Sequence, residues 1–245
     1  MQAPIDYGAF LGGISFRCVQ PSTPVPRLLA SLLRRFDSIG LSFEFLNTRV
    51  PPGEETRKER LRSVFHVRKQ STLALAMIIN RMVSDVPPGA AYLNIGVLHG
   101  FTLFAGMAGN PDKICIGVDN GPRTIAPDGP FMRRFRRWKS EQHRFYAMGY
   151  EEYFARVHRD PIGFYLYDAD HSYDHQLKNL RLAEPYFTEH CVVMIDDANA
   201  APVRQATLDF LGSSRNRYET LLDVRTPRDR HPTFWNGAML MRRVA

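Results

Sequence analysis

Two apolar runs that end in carboxylates constrain this chain more than any other feature. Gly163-Phe164-Tyr165-Leu166-Tyr167 leads into Asp168-Ala169-Asp170-His171, and Cys191-Val192-Val193-Met194-Ile195 leads into Asp196-Asp197. Short continuous runs rich in Val, Ile, Tyr and Phe read as strands buried on both faces, the kind found in parallel sheets. Between them Leu177, Leu180 and Ala183 recur at helical spacing, with Tyr173 and Phe187 at the ends and Ser172 placed to cap the start. A strand–helix–strand unit aligns its strands in parallel, so both acidic ends fall on one carboxyl edge, where open α/β sheets bind ligands. Carboxylates gathered at one point repel each other unless a cation neutralises them, and oxygen ligands favour a hard divalent ion such as Mg²⁺. A lone aspartate would read as a helix cap. Two acidic clusters at matched strand ends read as a functional site.

From Ala90 onward, strands and helices alternate. The pattern predicts strands near 91–95, 114–118, 143–147, 162–167, 191–195, 218–224 and 234–241, with helices near 100–108, 129–138, 150–157, 173–187 and 201–211. Alternation at this pitch specifies an α/β fold, a doubly wound and mostly parallel seven-stranded sheet. Only the loop from Thr226 to Pro232 separates the last two strands, too little for a crossover helix, so they are expected to pair as an antiparallel terminal hairpin. The first 89 residues differ. A proline-rich piece (Pro21, Pro24, Pro26) leads into a predicted helix from about Arg27 to Phe36, Pro51-Pro52-Gly53 breaks the chain, and a long helix from about Lys69 to Val83 stops at Pro87-Pro88-Gly89. The expected organisation is a helical N-terminal extension over 1–89, serving as a lid or a homo-oligomer contact, and a ligand-binding domain over 90–245.

Composition suits an enzyme domain. At 245 residues and 44% hydrophobic content the chain can bury a sizeable core. The apolar run Ser71 to Ile79 is too short for a membrane span and ends in Asn80-Arg81. The N-terminus lacks a basic region followed by an apolar core, and Cys18, Cys115 and Cys191, without metal-ligand spacing, read as buried thiols of a reducing compartment. A cytoplasmic protein is the expectation. The net charge of +7 concentrates at Arg133, Arg134, Arg136, Arg137 and Lys139, interleaved with Phe131, Phe135 and Trp138. Such a stretch could meet phosphates and stack a base, but it reads first as an amphipathic helix with aromatics inward and arginines in water.

The first strand of the domain runs into Gly96-Val97-Leu98-His99-Gly100-Phe101-Thr102. Gly96 would let the backbone turn sharply against a ligand, and Gly100 would let the next helix start close to the sheet. The second strand ends in Gly117-Val118-Asp119-Asn120, where a carboxylate can accept hydrogen bonds from ribose hydroxyls. The loop lacks the G-x-G-x-x-G spacing of dinucleotide binders and the G-K-[ST] of phosphate-binding loops. An adenosine ligand without phosphates fits it better.

On these residues the chain, from about Ala90 to Arg243, resembles the class I S-adenosylmethionine-dependent methyltransferases. N-I-G-V-L-H-G-F-T at Asn94–Thr102 is similar to that family's cofactor loop, and G-V-D at Gly117–Asp119 to its ribose-binding strand end. Y-D-A-D-H-S-Y at Tyr167–Tyr173 with I-D-D at Ile195–Asp197 resembles the subgroup of metal-dependent sugar O-methyltransferases and cephalosporin-hydroxylase-like proteins. The resemblance implies an S-adenosylmethionine site at Asn94, Gly96, Gly100, Thr102, Asp119, Tyr150 and Asp168. It implies Mg²⁺ or Mn²⁺ on Asp168, Asp196 and Asp197, with His171 as a candidate general base; beside it in the sequence, Asp170 is the competing base. Asn94 replaces the family's usual acid, forgoing charge pairing with the methionine amino group, and Tyr150 stands where a polar residue commonly meets adenine. Asn199 and the pair Trp235-Asn236, expected in the last strand, are further candidates to touch the substrate. The implied reaction is O-methylation of a small hydroxylated metabolite such as a sugar or glycosylated natural product. Two rivals stay open: a nucleic-acid methyltransferase, against which stand the missing N-P-P-Y or D-P-P-Y motif and RNA-binding module, and a non-catalytic binding protein that keeps the fold.

Overall fold

The alternating pattern resolves, in a computed structural model that describes residues 5–35 and 42–244, into seven strands around one crevice. They are β1 (Ala91–Ile95), β2 (Ile114–Val118), β3 (His143–Tyr146), β4 (Ile162–Tyr167), β5 (Phe187–Asp196), β6 (Arg217–Val224) and β7 (Ala238–Val244), ordered β3-β2-β1-β4-β5-β7-β6. Strands β1 to β5 are parallel, while β7 runs antiparallel to both β5 and β6. The chain leaves β1 for β2 on one side and returns through β4 on the other, so the order reverses between β1 and β4. Open sheets bind ligands outside the carboxyl ends of strands at such a point. Register places the functional ends together: Ile95 pairs with Tyr167, and Tyr167 with Ile195. Gly96, Asp168 and Asp196, each one residue further on, therefore share one edge.

Helices α1 (Leu73–Asp85), α2 (Phe101–Met107) and α3 (Pro130–Trp138) cover one face of the sheet; α4 (Tyr173–Ala183) and α5 (Ala201–Ser213) cover the other. The first two turns of helix α1 are apolar and buried all round, with Leu73 to Ile79 at most 1% exposed. Thr72 caps it, and Leu73 N–H donates to the buried Glu44 carboxylate at 2.6 Å, which also pairs with Lys69 Nζ at 2.8 Å. These contacts fix the start of α1 at Leu73 rather than Lys69. Phe10, Phe45 and Leu61 of the first 89 residues share the core cluster that holds Tyr92 and Leu240 of the sheet.

Other expectations shift for local reasons. Ser172 caps α4 by accepting from His175 N–H, as its position suggested. Pro185 then turns the chain into a 3₁₀ turn, Glu184–Tyr186, and β5 starts at Phe187, four residues before the predicted run. The helix expected over 150–157 is one turn, Tyr150–Glu152, followed by a π-helical turn, Tyr153–Val157. The last strand begins at Ala238, not near 234, because Trp235 (φ +53°) and Gly237 (φ +80°) turn the chain. Trp235-Asn236 thus belongs to a turn, not to the strand. Cys18 is exposed, not buried. The predicted end of the first helix at Phe36 lies outside the described residues; the helix is described as Arg27–Arg35. Helix α3 has the amphipathic form expected, with Phe131 and Phe135 buried and Trp138 37% exposed. Among the described residues no helix is long and apolar enough to cross a membrane.

Candidate active site

The loop after β1 is held in a conformation its glycines permit and its neighbours enforce. Gly96 has φ +83°, and a Cβ there would sit 2.5 Å from the Asp168 carbonyl carbon and 2.9 Å from Ala169 N. Only glycine lets the β1 end pass this close to the β4 end. Gly100, at φ +96°, starts α2. Asn94, fully buried, accepts from the Thr102 hydroxyl at 2.8 Å and donates to Gly96 O at 3.0 Å. Its amide is therefore committed to bracing the loop from beneath.

Asp119 does more than its place at the strand end suggested. Its carboxylate accepts from Val97 N–H at 2.8 Å, Leu98 N–H at 2.6 Å and Gly121 N–H at 2.6 Å. This clamp holds Leu98 at φ +49°, a region a bulky residue occupies only when its surroundings dictate it. The loop, Asp119, Tyr150, Asp168, Asp170 and His171 line a cavity of about 810 Å³, within the size range of cofactor sites. Tyr150 hydroxyl lies 2.7 Å from His175 Nδ1, and burial pushes its pKa up to about 12. Arg68, Gln70 and Ser71 also line the cavity, and Ser71 Oγ is buried without a hydrogen-bond partner among the described residues. The sequence reading passed over them. The polar run just ahead of the α1 cap was the available signal.

Beside the loop, at the ends of β4 and β5, the acidic residues converge. Ligand atoms of Asp168, His171 and Asp197 all lie within 4.8 Å of one another, and His171 Nε2 is 2.9 Å from Asp197 Oδ2. Asp197 sits at φ +55°, and its other oxygen accepts from Asn236 Nδ2. Asp196 falls outside this trio: it is 5% exposed, with Oδ1 unpartnered among the described residues. Burial, and then the charges of Asp196, Asp197 and Asp119, push the Asp168 carboxyl well above the usual range. Burial and Asp197 push Asp196 up to about 8. The hydrogen bond to Asp197 raises His171. Asp170 behaves differently. It is exposed, its Oδ1 accepts from Ser172 N–H at 2.8 Å, and the Ser172 side chain and then this backbone bond lower its pKa, so it serves the turn into α4. Asn199 anchors a neighbouring loop, accepting from Thr226 N–H at 3.0 Å.

Buried carboxylates with raised pKa values and one orphaned oxygen form an environment short of positive charge, which either protons or a cation must supply. Residues 93–198 match the family model of a methyltransferase domain. No curated protein sequence matches the chain. Among solved structures, an O-methyltransferase from Bacillus cereus in complex with SAH is similar at a TM-score of 0.54 and 13% identity, over 79% of this chain and 92% of that one. An apo TDP-rhamnose 3′-O-methyltransferase of calicheamicin biosynthesis is similar at 0.56 and 16%, over 92% and 99%. At such identities these likenesses speak to the shared fold.

Proposed function

We propose that this chain, whose residues 93–198 match the family model of a methyltransferase domain, is a class I S-adenosylmethionine-dependent methyltransferase and methylates a hydroxyl of a small metabolite, such as a sugar or glycosylated natural product, with Mg²⁺ or Mn²⁺ at the acidic edge. The observation that carries this reading is the Asp168–His171–Asp197 cluster, whose Asp168 and His171 line the same cavity as the Gly96 loop. The same architecture in an O-methyltransferase and a sugar O-methyltransferase supports it. The donor set fits a divalent cation: hard carboxylate oxygens of Asp168 and Asp197 beside one imidazole nitrogen, which extends the choice from Mg²⁺ towards Mn²⁺. When bound there, such an ion lowers the pKa of a coordinated hydroxyl.

The remaining roles fall to the chain itself. Gly96 admits the methionine part close to the backbone, while Asp119, still holding Val97 and Leu98, offers its oxygens to the ribose. Tyr150 offers a ring to adenine. Ser71 Oγ and Arg68 give the N-terminal extension a polar wall suited to the methionine carboxylate, in keeping with a covering role for this segment. Transfer is an in-line displacement that needs the acceptor oxygen positioned and its proton removed. His171 takes that proton, and Asp197 orients the ring and stabilises the resulting imidazolium. A nitrogen that ligates the ion cannot also accept a proton, so His171→Ala separates the two roles. As base, its loss leaves metal binding intact and lowers turnover by about 10²–10⁴-fold.

The test combines calorimetry with S-adenosylhomocysteine and thermal melts in Mn²⁺ or chelator. Cofactor binding together with a metal-dependent melt that disappears in Asp168→Asn/Asp197→Asn supports the proposal. Absence of cofactor binding removes the methyltransferase reading, and a chelator-insensitive melt removes the metal alone.

A further inference from the structure

A second concavity lies beside Asn199, two residues after Asp197 of the acidic cluster. It measures about 1410 Å³ and is lined by Val25, Leu28 and Ala30 on one wall and by Arg225, Arg228 and Arg230 on the other. Leu28 is 87% exposed among the described residues. Among the described residues, none of the three arginines has a carboxylate within ion-pair distance, whereas nearby Arg204 is paired with Asp223. The lining has one acid, Asp229, whose Oδ1 lies 3.5 Å from Asn199 Nδ2. The wall thus keeps an excess of unpaired guanidinium charge.

The loop that carries the arginines is held firmly. Thr226 is buried, donates its N–H to Asn199 Oδ1 at 3.0 Å, and places its hydroxyl 3.0 Å from the carbonyl oxygens of both Arg228 and Trp235. Arg230 stands at φ +63°, and its N–H donates to Asn236 Oδ1 at 2.7 Å. The Asn236 amide in turn donates to Asp197. One side chain therefore ties the arginine loop to the acidic cluster.

We propose that this concavity is the acceptor site and that it takes the phosphoryl group of a phosphorylated hydroxy compound, whose free hydroxyl then reaches Asp197 and His171. The inference rests on the methyltransferase reading and names the substrate class for it. Guanidinium groups suit phosphoryl oxygens because their planar N–H donors pair with two oxygens at once. An acceptor that spans from the arginine wall to the acid cluster carries its anionic group away from the carboxylates that would repel it. The apolar wall of Val25 and Leu28 accommodates the less polar part of the same molecule.

The experiment uses the full chain with inorganic pyrophosphate as probe, by calorimetry at fixed ionic strength, with S-adenosylhomocysteine titrated separately. Pyrophosphate is expected to bind the wild type, and each of Arg225→Gln and Arg230→Gln to weaken it by roughly tenfold. Asp229→Asn is expected to tighten it several-fold by removing the one acidic group of the lining. S-Adenosylhomocysteine affinity should stay unchanged in all three variants, which also shows that they are folded. Pyrophosphate binding that is absent from the wild type, or equal in wild type and arginine variants, overturns the assignment. Loss of S-adenosylhomocysteine binding by the wild type would instead strike the methyltransferase reading itself.

Discussion

Gly96 is the point where the two halves of the site lean on each other, and a single methyl group there tests the arrangement. In Gly96→Ala the new Cβ would approach backbone atoms of Asp168 and Ala169, at 2.5 Å from a carbonyl carbon and 2.9 Å from an amide nitrogen. Neither is the end of a flexible side chain, so the ends of β1 and β4 must part by around 1 Å to reach ordinary contact. That movement strains the bonds Asp168 N–H to Ile95 O and Gly96 N–H to Val118 O, both 2.9 Å. The positive φ costs an L-residue about 1–2 kcal/mol and the forced separation about 1–3 kcal/mol, giving about 2–5 kcal/mol in all. Against a typical total of about 5–15 kcal/mol, most of the fold should survive and the loss should be measurable in urea. Cofactor affinity should suffer more, since a displacement of around 1 Å can cost roughly 100-fold. Gly212→Ala in α5 is the control: its Cβ meets nothing within 4 Å, and alanine there should stabilise the helix by roughly 0.5–1 kcal/mol. A Gly96→Ala protein with wild-type urea midpoint and wild-type S-adenosylhomocysteine affinity would refute the close approach of the two strand ends.

Four further outcomes follow from particular groups. Asp119→Ala should weaken S-adenosylhomocysteine binding and also lower stability by about 1–3 kcal/mol, because the Val97 and Leu98 N–H groups lose their acceptor; unchanged stability on denaturation would show that no clamp exists. Asp168→Asn should melt no lower than wild type in chelator, since it relieves crowded carboxylates, yet should lose any Mn²⁺-induced rise; a variant that keeps the rise takes Asp168 out of the ligand set. His158 is 1% exposed, and burial pushes its pKa down to about 4, so below pH 6.5 the unfolded chain takes up a proton that the folded chain refuses until about pH 4. Its stabilising contribution is complete above pH 6.5 and is lost as pH falls through that window, by up to about 3 kcal/mol. His158→Phe should flatten that part of the stability curve, and parallel curves for the two proteins would contradict the assignment. Arg133→Gln/Arg137→Gln should leave the melt nearly unchanged, whereas tight, salt-sensitive RNA retention lost in this variant would revive the nucleic-acid reading.

The parallel sheet was legible because its strands are short, continuous apolar runs punctuated by glycine, proline and acid, and nothing in the tertiary structure needs to override them. The hairpin followed from loop length alone. Boundaries moved where one residue outweighed a pattern: Pro185 cut α4 short, Thr72 and Glu44 delayed the start of α1, and the turn at Trp235 and Gly237 postponed β7. Pattern reading sees periodicity, and none of these signals is periodic.

The site was legible to the extent that chemistry lies at strand ends. Asp168, Asp196, Asp197 and His171 could be gathered from sequence because parallel strands in register must bring their ends together. Which oxygens face the cavity could not. Asp197 enters the left-handed region immediately after β5, and this turn carries its carboxylate to His171 and Asn236 while Asp196 stays buried behind it. Adjacent residues on a strand point to opposite faces, so a D-D pair at a strand end can present only one member unless the backbone turns. The same logic explains Asn94. Buried beneath the loop, an acid at that position would have to shed its charge or find a cation, whereas an amide accepts from Thr102 and donates to Gly96 without either. Asn94→Asp should therefore destabilise the protein at neutral pH and recover on acidification, when the new carboxyl can protonate and bridge the same two partners. Circular dichroism melts across pH 5–8 would show the difference, and a variant as stable as wild type at every pH would mean that the amide is not committed to the loop.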